Sequence, residues 1–201
     1  MQESEVAYIQ DIEKLPKLEI RDTFKYGRGV FAAENIEKGR AIRILAGEII
    51  STTECLKRII LRRLKSDDPL QIEDDRFIVP DKISRYFNHS CQPNAGLRKI
   101  SELFALREIK TGEEITFDYS STVSGHSFWH MSCKCGEENC REKIGNVLTL
   151  PPKVLDNYAA EGALQDYMQR HLTTVQNSCS YWRVAKKLMG RLFLRRSEKR
   201  V

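Results

Sequence analysis

Between residues 18 and 119, apolar positions come in short bursts that alternate with polar ones and are cut by turn residues, the period-two rhythm of half-buried strands. The bursts fall at 18–20, 29–32, 41–45, 48–51, 76–79, 97–99, 103–108 and 115–119. One stretch breaks the rhythm. Leu56, Ile59, Ile60, Arg63 and Leu64 recur at helical spacing behind Thr52 or Thr53 as a cap, with Pro69 just beyond, and this predicts a helix. No strand–helix–strand unit of regular length appears, so the pattern excludes a doubly wound dinucleotide-binding sheet and predicts a mainly β core with added helices. Residues 1–17 are polar and carry little pattern, as an arm would. After Asn146 the character changes. Pro151 and Pro152 mark a boundary, and Val154, Leu155, Tyr158, Leu164, Tyr167, Met168 and Leu172 form one helical stripe. Tyr181, Ala185, Leu188, Met189, Leu192 and Phe193 form another, so the chain closes with a helical extension.

Composition adds a size class and a place for the charge. With 201 residues, 41% hydrophobic and 30% charged, the chain suits one globular domain and an appendage, not a disordered or collagen-like protein. No apolar run reaches the roughly 18 residues of a spanning helix, and residues 1–10 lack the basic start and apolar stretch of a signal peptide, which predicts an intracellular protein without a membrane span. The formal net charge is +5, yet eight of the 33 Lys/Arg lie in 181–201 against Glu198 alone. Residues 1–180 are therefore slightly acidic, and whole-chain basicity is poor support for nucleic-acid binding by the core. The basic face of the last helix is either a solvated surface or a contact for nucleic acid, membrane or an acidic partner.

Six cysteines in such a chain argue against a disulfide scaffold. Cys133, Cys135 and Cys140 make a C-x-C-x4-C loop around Gly136, which can bring thiolates onto one tetrahedral ion at about 2.3 Å. A fourth ligand is needed, and the spacing alone leaves open both a structural zinc and incidental reduced thiols. Cys55 and Cys179 read as packing or surface residues.

Three motifs occur in a telling order. Tyr26-Gly27-Arg28-Gly29 precedes a strand, where glycines let backbone approach a ligand. Arg85-Tyr86-Phe87-Asn88-His89-Ser90-Cys91-Gln92-Pro93-Asn94 packs amide, imidazole, hydroxyl and thiol into consecutive positions. Gly112-Glu113-Glu114-Ile115-Thr116-Phe117-Asp118-Tyr119 is a turn feeding a strand that ends on a tyrosine, and the cysteine loop follows. The series resembles the SET-domain family of protein lysine methyltransferases with its post-SET zinc cap. The short insert ahead of the NHSC motif looks most like the compact bacterial branch.

The resemblance implies a SET-domain fold of small curved β-sheets with a pseudoknot-like crossing: an arm at 1–17, the SET domain at 18–130 with an insert at 51–80, the zinc cap at 131–146, and the extension with its basic tail at 147–201. It implies transfer of a methyl group from S-adenosylmethionine to a lysine of a basic, histone or histone-like protein. By motif position, Tyr119 is the catalytic tyrosine, Arg28, Gly29, Asn88 and His89 contact the cofactor, and Cys91 completes one structural Zn2+ site with Cys133, Cys135 and Cys140. Phe128 and Trp129 either cover the adenine or pack beneath it. Two departures stand out. Phe77 falls where many relatives have a second tyrosine, and the position linked to methylation degree falls near Val123. The competing class is a catalytically weak SET-like module that recruits a protein or nucleic-acid partner. No pattern in the sequence fixes an oligomeric state.

Overall fold

Two glycines and Val30 at 27–32 suit a strand that must lie close to its neighbours, and this segment forms one arm of the first hairpin. The computed structural model describes residues 15–23, 27–125, 127 and 129–174. Strands β1 (Leu18–Thr23) and β2 (Gly27–Ala32) pair antiparallel from Leu18 opposite Ala32 to Thr23 opposite Gly27. Two three-stranded antiparallel sheets follow. One joins β3 (Ala41–Ile44), β9 (Glu102–Ala105) and β8 (Ala95–Arg98), and the other joins β4 (Gly47–Ser51), β6 (Arg76–Pro80) and β5 (Leu70–Glu73). Small pairs complete the set: β7 (Asn88–His89) beside β10 (Thr116–Phe117), and β11 (Met131–Ser132) beside β12 (Lys143–Ile144).

The expected class, mainly β with small sheets and few helices, is the one observed. Val30, Ile36, Ile42, Leu97, Leu103, Ile109 and Ile115 are fully shielded from solvent and form the common core between the sheets. The β7–β10 pair is parallel, with Asn88 opposite Thr116 and His89 opposite Phe117. Parallel neighbours cannot be joined by a tight turn. Here the crossing brings the NHSC segment against the strand leading to Tyr119.

Strands β8 and β9 are shifted from the bursts at 97–99 and 103–108, the stripe at 154–172 is broken at 161–165, and three further differences have a clear cause. The final burst is strand only at Thr116–Phe117, and Tyr119 opens a 3-10 turn, Tyr119–Thr122, capped by the Asp118 carboxylate, which accepts from Ser120 N at 3.0 Å. An N-capping carboxylate satisfies donors that a continuing strand would leave unpaired. The insert helix is Thr52–Ile60, capped by Ser51 Oγ, which accepts from Glu54 N at 3.3 Å, so the cap lies one residue earlier than expected. That helix stops before Leu64 because Arg62 turns to a φ of 54°. Strand β5 lacked a signal because Leu70, Gln71 and Ile72 are all buried and the alternation is lost.

The chain divides into two units, Met1–Met168 and Gln169–Val201. Within the first, helix Pro152–Ala160 begins with proline in its first turn and ends where Gly162, at a φ of 66°, lets Ala163 N donate to Tyr158 O at 2.7 Å. Of the second unit, 169–174 is described and is helical, with Thr173 and Thr174 hydroxyls donating back to the carbonyls of Gln169 and Arg170. The stripe at 181–193, the basic tail, Cys179, Phe128 and most of the N-terminal arm lie outside the described residues. Among the described residues, no helix is long and apolar enough to cross a membrane.

Candidate active site

Asn88 stands at the crossing. Its Nδ2 donates to Arg28 O at 2.9 Å and to Glu114 Oε1 at 2.7 Å, which leaves the half-buried Oδ1 to accept from something else. Gly29 sits against the same carboxylate. A Cβ there would come within 2.3 Å of Glu114 Oε1, so a larger residue would push the carboxylate away from Asn88. Arg28, Gly29 and Asn88 are thus brought together by the β2 hairpin and the β7–β10 crossing. Glu114, the residue that joins them, was visible in the GEEITFDY motif but carried no expectation.

His89 is buried, and both ring nitrogens are engaged within the protein. Nδ1 accepts from Tyr119 N at 3.2 Å, which puts the ring proton on Nε2, and Nε2 lies 3.4 Å from Cys91 Sγ. Burial pushes its pKa down to about 4, against the opposing pull of Asp118, so the ring is neutral at physiological pH. Its imidazole links Cys91 to the backbone of Tyr119.

The Tyr119 hydroxyl donates to Phe87 O at 2.8 Å. Its ring meets Phe117 with centroids 4.9 Å apart and His89 at 5.4 Å, edge to face. Beside it lies a cavity of about 90 Å³ whose lining includes Phe87, Phe117, Tyr119, Thr122, Val123 and Trp129 from the crossing and the residues after it, and Asp67, Asp68, Leu70 and Ile78 from the insert. Ile78 and Pro80, not Phe77, are the β6 residues at the cavity, because alternate strand residues share a face and neighbouring ones face opposite ways. A missing hydroxyl at Phe77 therefore removes nothing from this lining. Trp129 also packs against the cysteines, so it bridges the cavity and the cysteine loop.

Cys91, Cys133, Cys135 and Cys140 place their sulfurs within 4.8 Å of one another. Cys91 and Cys133 are 3.7 Å apart. Four sulfurs at about 2.3 Å from one tetrahedral ion are separated by about 3.8 Å, so the donor set fits Zn2+ and leaves no open position for water. Backbone N–H groups of Arg141 and Glu142 point at Cys91 Sγ and Cys140 Sγ, each at 3.4 Å, as suits sulfurs carrying negative charge. As a free thiol, Cys91 is pushed up by burial to about 11 and Cys133 is raised by the same cause. A divalent cation overrides that cost by binding the thiolate directly.

Asp118, fully buried, ties the pieces together. Its Oδ1 accepts from Arg141 Nη2 at 2.7 Å and from Ser120 N, and its Oδ2 accepts from Tyr158 Oη at 2.9 Å. A buried carboxylate is tolerable when its lone pairs are filled in this way.

Residues 27–120 match the family model described as SET domain. This segment is a SET domain. The chain is 34% identical over 156 residues to the histone-lysine N-methyltransferase ASHH3 of Arabidopsis thaliana, covering 71% of this chain and 42% of that one. It is 34% identical over 145 residues to the human histone-lysine N-methyltransferase named H3 lysine-36 specific, covering 65% of this chain and 5% of that one. The chain thus spans less than half the length of these curated relatives. The methyltransferase domain of human SETMAR superposes with a TM-score of 0.52 at 27% identity, over 65% of this chain and 58% of that one. These relatives are plant and human, and they lend no support to a place in the bacterial branch.

Proposed function

We propose that this SET domain is a protein-lysine N-methyltransferase that uses S-adenosylmethionine and acts on histone H3. The observation that carries the reading is Tyr119 donating its hydroxyl to Phe87 O at the wall of a narrow cavity, beside the half-engaged Asn88 amide. S-Adenosylmethionine supplies an electrophilic methyl group. Asn88 Oδ1 suits its ammonium, and the backbone at Arg28 and Gly29 suits close approach to its amino-acid end. His89 contributes through its main chain, because its ring is already occupied between Tyr119 N and Cys91. The four cysteines hold one structural zinc per chain, and residues 131–146 form the cap around it.

The substrate amine must arrive neutral. A lysine of pKa about 10.4 loses its proton at about pH 8 for roughly 3 kcal/mol, and burial beside a cationic sulfonium reduces that cost. Phe87, Phe117, Ile78 and Leu70 keep water out of the cavity, while the Tyr119 hydroxyl and the Phe87 carbonyl orient the amine for in-line attack. Asp67 and Asp68 outnumber Arg85 in the cavity lining and leave it a net negative charge that suits a basic tail. Lysine 36 of H3 is the first target to test, given the names of the relatives, and a histone substrate narrows the intracellular expectation to the nucleus. Contact between the tail at 181–201 and nucleosomal DNA is compatible with this role and is not needed for it.

Labelled methyl transfer to recombinant nucleosomes and free H3, run beside Tyr119→Phe, tests the reading. The wild type should label H3, and the variant should lose about a hundredfold or more in kcat with cofactor affinity retained. Cofactor binding without labelling of any histone would overturn it in favour of a non-catalytic module.

A further inference from the structure

Tyr119, Thr122 and Val123 all line the cavity and all belong to, or directly follow, the single 3-10 turn Tyr119–Thr122. A four-residue turn has little rigidity of its own. Its two ends are nonetheless fixed, each by a buried tyrosine from beyond the residues that match the SET model. At the start, Tyr158 Oη donates to Asp118 Oδ2 at 2.9 Å, and Asp118 caps the turn. At the end, Tyr167 Oη donates to Thr122 O at 2.5 Å. Both tyrosines are buried, at 8% and 2% exposure, so neither bond competes with water. The same segment also reaches the insert: Gln165 Nε2 donates to Gln71 O at 3.2 Å, and Gln71 Oε1 accepts from Ser124 N at 3.1 Å.

We propose that Tyr158 and Tyr167 are positioning residues, a two-point clamp by which the segment 152–168 sets the place of Tyr119 and the width of the lysine cavity. The clamp rests on the methyltransferase reading for its effect on turnover, but it has a geometric consequence independent of turnover. A hydroxyl that only stabilised the fold would lower the melting temperature and leave the chemistry alone. One that sets the turn also decides where the Tyr119 hydroxyl points and how much room an already methylated amine finds beside Thr122 and Val123. A misplacement of about 1 Å at a reacting centre costs on the order of a hundredfold in rate.

The test uses the full chain loaded with zinc and compares Tyr158→Phe, Tyr167→Phe and the double variant with Leu164→Ala, a destabilising control in the same segment. Hydrogen exchange reads the geometry. Protection of the Ser120 and Ser121 amides should fall about five- to tenfold in each tyrosine variant, the effect of one lost hydrogen bond, and should not change selectively in the control. With nucleosomes as substrate, kcat should fall about ten- to a hundredfold in the double variant, with the KM for S-adenosylmethionine unchanged and the mono-, di- and trimethyl product ratio shifted. Unchanged amide protection in folded tyrosine variants would overturn the clamp whatever the activity, as would an active enzyme with wild-type kcat and product ratio. Variants that cannot be recovered folded with their metal would also overturn it, by making the hydroxyls structural. An inactive wild type would instead sink the methyltransferase reading, leaving the exchange data to decide the clamp alone.

Discussion

On one side of the cavity, Phe87, Tyr119 and Thr122 sit in a polar lattice in which a buried carboxylate, a guanidinium, an imidazole and four sulfurs fill one another's bonding capacity. The insert contributes Ile78 and Leu70 as apolar lining from its sheet and Asp67 and Asp68 from the loop before it, and its helix Thr52–Ile60 carries the exposed Leu56 and Ile60. Ion pairs exist there too, but at the surface: Arg58 binds Glu48 at 2.6 Å and Glu54 at 2.8 Å, with the partner carboxylates 57% and 36% exposed. The first wall is specified atom by atom and fails when one partner is lost. The second is specified by shape and sheet register and tolerates change. A site built this way holds the reacting groups fixed while the surface around the substrate is free to vary.

The comparison breaks most visibly at the metal. Cys133→Ser removes one of four ligands, and because a structural zinc contributes folding free energy directly, the cysteine loop should come apart. Metal analysis should fall from about one zinc per chain to near zero. Methyl transfer should disappear with it, since Arg141 and Trp129 both come from this region. A zinc-free variant with full activity would show the two sides to be uncoupled.

Arg141→Met comes next. It leaves the Asp118 carboxylate buried with one charged donor fewer, a change that costs about 3 kcal/mol. For a domain of this size that is a fall of about 10 °C in melting temperature. The methionine retains apolar volume, so the loss is electrostatic. Replacing both partners, as Asp118→Asn with Arg141→Met, should recover part of it, and a double-mutant cycle measures how much.

The two sides also differ in how far they were legible. The NHSC and FDY motifs, far apart in the chain, announce the crossing by their order, and three cysteines at recognisable spacing announce the cap, with Cys91 supplied by the resemblance. Two-residue strands such as Asn88–His89 carry no period at all, and their residues were found through chemistry, not hydropathy. The strand β5 and the place of Ile78 were harder, because an all-buried strand loses its alternation and a one-residue change of register exchanges the two faces. Tyr158 and Tyr167 read as part of an ordinary helical stripe, and Gln165 carried no reading. Their hydroxyl and amide bonds join residues 40, 45 and 94 positions apart, and pairings at that range leave no local pattern.

The smallest effect belongs to the exposed side and sharpens the contrast. Hydrogen bonds from Arg58 hold the Glu48 and Glu54 carboxyls below the usual range. Because the folded-state values are depressed, the pairing contributes stability above the ordinary glutamate pKa of about 4.3, and that contribution disappears as pH falls through and below it. Arg58→Ala should therefore lower the melting temperature slightly at neutral pH, by about 2 °C or less, and converge with the wild type in acid. Added salt should shrink even the neutral-pH difference, since charges this exposed are screened over about 3 Å at 1 M. The Arg141→Met deficit should survive the same salt, because Asp118 is only 1% exposed and no counterion reaches it. Equal salt sensitivity in the two variants would mean that the buried and exposed carboxylates are held by the same physics, and the distinction between the two walls would fall.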